Sequence, residues 1–169
     1  MQDLEKNIQD IKNKLFSGDV SIIIETIKNI SNSAYYEIID TLFDLFITTS
    51  NHEVKKTLID LFISIKDPRF EKKLIEVIQK PKYLAIKKDL ISICWQTGLS
   101  FENSIDVFVD MIIVADLETS IECFSVIEES LVNIDDKKKK DIAEKLRTNL
   151  PLFNDSKRNL IQELIYMLE

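Results

Sequence analysis

Apolar residues recur along this chain at helical spacing, and the pattern itself returns about every 32 residues. Val54-Lys-Lys-Thr-Leu-Ile-Asp-Leu-Phe62 aligns with Ile86-Lys-Lys-Asp-Leu-Ile-Ser-Ile-Cys94. Apolar residues coincide at 54/86, 58/90, 59/91, 61/93 and 62/94, and both copies carry Lys-Lys in the same place. A third copy, offset by 33, runs Thr119-Ser-Ile-Glu-Cys-Phe-Ser-Val-Ile127. A second set, Phe70, Leu74, Val77 and Ile78, returns at a shift of 31 as Phe101, Ile105, Phe108 and Val109. A repeat of this length built from two short helices cannot bury its own apolar face, so copies must stack.

Ten helices can be read from periodicity and punctuation. The first spans about residues 2–16, with Leu4, Ile8, Ile11 and Leu15 on one stripe and Gly18 as its stop. A second runs from Asp19 to Ile30. The third covers about 33–48, with Ser33 as cap and Ile38, Ile39, Leu42, Phe43 and Phe46 as its buried side. Helices over about 52–66 and 68–79 are separated by Asp67-Pro68, a capping residue followed by a ring whose missing N–H is harmless in the first turn. Pro81 opens the sixth by the same logic and Gly98 closes it. Ser100, Asp116 and Asp135 are placed to cap helices over about 101–115, 117–133 and 136–149. Pro151 breaks the ninth, and Asn154 or Asp155 starts a tenth that ends near Leu168. Loops of two to four residues make consecutive helices antiparallel. The period then assigns 20–30, 52–66, 84–97 and 117–133 to one layer and 34–48, 68–79 and 101–115 to another, with the first and last helices as end caps.

Paired helices of this period, the Asp67-Pro68 start and a second helix rich in buried Leu and Ile resemble HEAT repeats of the armadillo-type group. Val54 to Glu129 carries the likeness best. Ile93-Cys-Trp-Gln-Thr-Gly98, followed by an acidic helix pair, is similar to small bacterial HEAT-like proteins. The resemblance implies an all-α fold: a right-handed α-α superhelix of about four helix pairs with end-capping helices, one solenoid domain over residues 1–169. It also implies a binding surface presented on one helix layer.

Composition agrees with a helical globular chain: 45% apolar, 30% charged, two Gly and three Pro. At 169 residues the chain buries roughly 68–70% of its unfolded surface, enough for a core without metal or disulfide. Cys94 and Cys123 sit in apolar stretches and read as buried thiols. The N-terminus is charged from its third residue, and no uncharged apolar run reaches about 18 residues, so neither a signal core nor a spanning helix is expected. The expected compartment is the cytoplasm.

Charge changes the picture. Net charge is −7, yet residues 51–100 carry 10 basic and 6 acidic side chains while residues 101–136 carry 10 acidic and no basic ones. Residues 137–169 turn basic again, with 8 against 5. Glu102, Asp106 and Asp110 fall at i, i+4, i+8 of the seventh helix, and Glu118 and Glu122 at i, i+4 of the eighth. Like charges so spaced disfavour a helix by a few tenths of a kcal/mol per pair. Lys55-Lys56 and Lys87-Lys88 take equivalent places in adjacent repeats, which stacking sets about 9–10 Å apart as a basic ladder running towards Ser120 and Glu122. Trp95, the single tryptophan, is a candidate anchor. Lys55, Lys56, Lys87, Lys88, Trp95, Glu102, Asp106, Asp110, Glu118 and Glu122 are the candidate partner-binding positions.

Catalytic and metal chemistry find little support. His52 is the one histidine, which excludes multi-histidine metal sites. Two isolated glycines cannot make a phosphate-cradling loop, and no G-x-S-x-G occurs. The expectation is a non-enzyme without cofactor or metal, a scaffold or adaptor using charged ladders to hold another protein, including one with a basic segment, as a monomer or weak oligomer. The alternative is a HEAT-like nucleic-acid-binding or DNA-repair enzyme. A pI of 4.9 disfavours it, because phosphate tracking needs a positive field, and Lys137–Lys140 is followed at once by Asp141 and Glu144.

Overall fold

The computed structural model describes the backbone of residues 2–30 and 35–169 and the side chains of residues 6–30 and 36–169. Helices are α1 Gln2–Leu15, α2 Val20–Lys28, α3 Tyr35–Thr48, α4 His52–Ser64, α5 Arg69–Gln79, α6 Lys87–Thr97, α7 Ile105–Val114, α8 Leu117–Ser130, α9 Asp136–Asn149 and α10 Asp155–Leu168. No strand occurs among the described residues. The fold is all-α. Contacts divide it into two compact units, Met1–Ile65 and Lys66–Glu169.

Helix starts follow the capping chemistry. Asp19, Asn51, Asp116, Asp135 and Asn154 each accept hydrogen bonds from first-turn backbone N–H groups, which otherwise lack partners. Asp67 Oδ1 accepts from Arg69 N at 2.9 Å. Gly98 closes α6 at φ +66°, a left-handed conformation that glycine adopts without strain. Ser33 lies outside the described residues.

Two starts differ from the sequence reading. Pro81 opens a 3₁₀ stretch, Pro81–Ile86, and α6 begins only at Lys87. Three residues per turn keep Tyr83 and Ile86 on one side, and both are buried. Ser100 caps nothing: a 3₁₀ turn, Glu102–Ser104, intervenes before α7, and Ser104 Oγ instead donates to Glu71 Oε1 at 2.5 Å.

In the first unit α1 packs on α2 and α3, α2 on α4, and α3 on α4. Ile38, Ile39, Leu42, Phe43 and Phe46 are buried as their spacing predicts. Phe62 of α4 stacks on Phe43, centroids 4.8 Å apart, and meets Phe46 edge-on at 5.9 Å. On α1, Leu15 is buried while Ile8 and Ile11 are half-buried.

In the second unit helices two apart in the chain also touch: α6 with α8, α8 with α10, α7 with α9. Consecutive helices pack as well, α5 on α6, α7 on α8 and α9 on α10. The repeated positions fill the core. Phe70, Leu74, Val77, Ile78 and their counterparts Phe101, Ile105, Phe108, Val109 are all buried. So are Leu90, Ile91, Ile93 and Cys94 of α6 and Cys123, Val126 and Ile127 of α8.

Leu90→Ala, at a fully buried position, is expected to lower unfolding free energy by about 2–5 kcal/mol. Gly98→Ala is expected to lower it by about 1–2 kcal/mol, because a side chain disfavours its backbone angle. Urea melts followed by circular dichroism check both.

Candidate interaction face

Lys55 and Lys56 lie on α4 in the first unit. Lys87, Lys88, Trp95, Glu102, Asp106, Asp110, Glu118 and Glu122 all belong to the second. Glu102 sits in the 3₁₀ turn before α7, so only Asp106 and Asp110 share the helical i, i+4 row.

Four of these charges, Lys88, Asp106, Asp110 and Glu118, meet opposite charges of the same unit. Lys88 of α6 pairs with Glu118 of α8 at 2.6 Å. On the other side Lys138 of α9 pairs with Asp106 at 2.5 Å, and Lys145 pairs with Asp110. Trp95 Nε1 donates to Glu122 Oε2 at 2.8 Å. The acidic stretch is thus met from both flanks, by a basic residue of α6 and by the lysine-rich α9. The Glu118 carboxylate beside Lys88 raises the lysine above its ordinary value. The Thr119 N–H bond to the cap carboxylate holds Asp116 below its ordinary value.

These bridges share one arithmetic. Their sequence separations are 30, 27, 32 and 35 residues, and those of Ser104–Glu71 and Lys66–Thr97 are 33 and 31. Each is close to one period. For Lys88, Trp95, Asp106 and Asp110 the partner lies on the helix two further along the chain, which also packs on their own helix.

A groove of about 530 Å³ opens where the starts of α6 and α8 meet the end of α7. Leu84, Met111 and Val114 supply apolar lining; Lys87, Lys88, Asp116 and Glu118 supply a mixed-charge rim. Leu84 is 68% and Val114 82% exposed, high for large aliphatic side chains. Along α8 from the groove, Ile121 is 47% exposed. It stands at the register position that Lys56 and Lys88 occupy in the two preceding copies, where a wetted cation is the rule.

Periodicity alone did not single out Lys157, which is buried. Its Nζ donates to Ile113 O at 2.9 Å, in the last turn of α7, and to Ala115 O at 2.6 Å, just past its end, and lies 5.0 Å from the Phe153 ring centroid. A cation suits the partial negative charge at a helix C-terminus. Burial pushes this lysine below its ordinary value. The signal was present: Lys157, Ile161, Leu164, Ile165 and Leu168 form one helical stripe, all buried. Lys66 uses the same device on α6, donating to Thr97 O at 2.5 Å.

Both cysteines are buried free thiols. Burial pushes Cys123 up to about 12 and Cys94 well above the ordinary thiol value, so both hold their protons. Among the described residues no three His, Cys, Asp or Glu side chains group as metal ligands, and no helix is long and apolar enough to cross a membrane. No family model matches the chain, and no curated protein or solved structure matches it.

Lys157→Met is expected to cost about 1–3 kcal/mol at neutral pH by stripping two carbonyls of their donor. The folded state releases this proton at lower pH than the unfolded chain does. Wild-type stability relative to the variant is therefore flat below the lowered folded value. It rises as pH climbs from there to the ordinary lysine value of about 10.4. Urea melts of both proteins between neutral and alkaline pH check the sign.

Proposed function

We propose that the chain is a stack of HEAT-like helix pairs, wound as a right-handed α-α superhelix, and that it works as a non-catalytic scaffold binding another protein in the cytoplasm. Support for the stacking comes from contacts between alternate helices and from polar bridges spaced by one period. The binding reading rests on one observation above all. The groove at the starts of α6 and α8 exposes Leu84 and Val114, and the neighbouring register position holds isoleucine in place of lysine. Exposed aliphatic residues gathered around a concave surface favour a protein partner. Lys88 and Glu118 cancel locally, so the groove selects by shape and apolar contact, with charge setting orientation.

Val114→Glu tests this without disturbing the core, since the side chain is already in water. Beads carrying the wild type and the variant are exposed to the same cell extract, and captured proteins are identified and re-bound in purified form. The variant is expected to bind at least tenfold more weakly, a loss of about 1.4 kcal/mol, with unchanged helicity and melting. Reversing Lys55, Lys56, Lys87 and Lys88 together is expected to weaken the same capture. Undiminished binding by both variants would remove the proposal.

A further inference from the structure

Of the ten carboxylates of residues 101–136, Asp106, Asp110 and Glu118 meet lysines, Asp116 and Asp135 cap helices, and, among the described residues, no ring donates to Glu102, Glu128, Glu129 or Asp136. Glu122 is different. Its hydrogen bond comes from a neutral donor, the indole N–H of Trp95, and no described residue donates to its second oxygen. Lys88 lies within electrostatic reach, but its ammonium is held by Glu118. Glu122 therefore has an open acceptor.

Trp95 is 38% exposed with its only polar atom already satisfied, so it offers solvent its ring carbons. The hydrogen bond pins the indole to α8, which removes much of the entropy lost when a contact forms. Ile121 adds an apolar neighbour on the same helix.

We propose that Trp95 and Glu122 form a seat for an arginine presented by the partner protein. This inference rests on the scaffold reading and names the chemistry of what it holds. A guanidinium can stack on the indole while donating in its own plane to the free oxygen of Glu122. It is also weakly hydrated, so its transfer to a half-buried site is easier than that of an ammonium. A carboxylate would be repelled, and a purely apolar side chain would desolvate Glu122 without replacing its water. The groove begins one helical turn earlier on α8, at Glu118 and Thr119, about 6 Å away along the axis. The matching segment is an amphipathic helix with an arginine and an aliphatic anchor four residues apart, the anchor entering between Leu84 and Val114.

Because Trp95 is the only tryptophan, its fluorescence reports from the seat itself. The probes are alanine-based helical peptides of roughly 14 residues, long enough to sample helix. One carries leucine and arginine four apart; the control carries leucine and glutamate. Wild type is expected to give a saturable change in Trp95 emission with the arginine peptide and to bind the control at least tenfold more weakly. Glu122→Gln keeps an oxygen for the indole N–H but removes the charge, and is expected to shrink that preference to about threefold or less. Val114→Glu should weaken arginine-peptide binding while leaving the Trp95 emission of the free protein unchanged.

No saturable change with the arginine peptide, equal binding of the two peptides by wild type, or a preference that survives Glu122→Gln would each overturn the arginine seat. Any of these results, combined with loss of the captured partner in Val114→Glu, would leave the scaffold reading standing. Undiminished capture by both groove and lysine variants would bring that reading down whatever the peptides do.

Discussion

An amphipathic helix of about a dozen residues has one greasy side and too little of anything else to hold it in place. In the second unit that side is covered by neighbouring helices, α5 on α6, α7 on α8 and α9 on α10, and by alternate ones, α6 on α8 and α8 on α10. Leu90 and Cys94 of α6 and Cys123 and Ile127 of α8 are buried where those two helices pack, although some 30 residues separate the pairs. The rest of the second unit depends on this coverage. The 3₁₀ stretch at Pro81–Ile86 and the left-handed Gly98 are the local adjustments that deliver α6 into it.

Polar groups follow the same geometry. The uneven charge along the sequence looks like an exposed acidic patch until the helices are assembled, whereupon lysines of α6 and α9 meet the acids of α8 and α7. Such exposed pairs contribute little to stability individually. They put a cation on three of the ten acids of residues 101–136, whereas Glu122 has an indole N–H beside it. Two lysines have a more structural task. Lys66 and Lys157 close helix ends by donating to terminal carbonyls, and Lys157 does so from within the apolar stripe of α10.

Much of the fold was legible because helical periodicity and caps are local signals. The core positions repeated between the copies, the Asp116 and Asp135 caps and the Gly98 stop could all be read from neighbours in sequence. Pro81 illustrates the limit: proline announces a helical start but does not say whether the first turn is α or 3₁₀. Ser100 shows another, since a small polar residue resembles a cap whenever the true boundary is uncertain by a turn. For the candidate site, the residue types were legible and their partners were not. Asp106 and Asp110 read as an open stripe because the lysines that meet them lie on a different helix, although the repeat period itself contained the offset. The groove was invisible, because Leu84 and Val114 are unremarkable aliphatic residues until three helix ends converge.

The two sides of the second unit are joined differently. Between α7 and α9 the contact is sparse and is bridged by two exposed lysine–aspartate pairs. Between α6 and α8 it is denser, with the Lys88–Glu118 pair and the Trp95–Glu122 hydrogen bond at its surface and two protonated thiols in its interior. Mobile ions screen such exposed pairs over a distance of about 8–10 Å and scarcely reach the buried thiols. Salt thus loosens the exposed pairs on both flanks, and the buried part of the α6–α8 contact, where the groove begins, is what keeps its form.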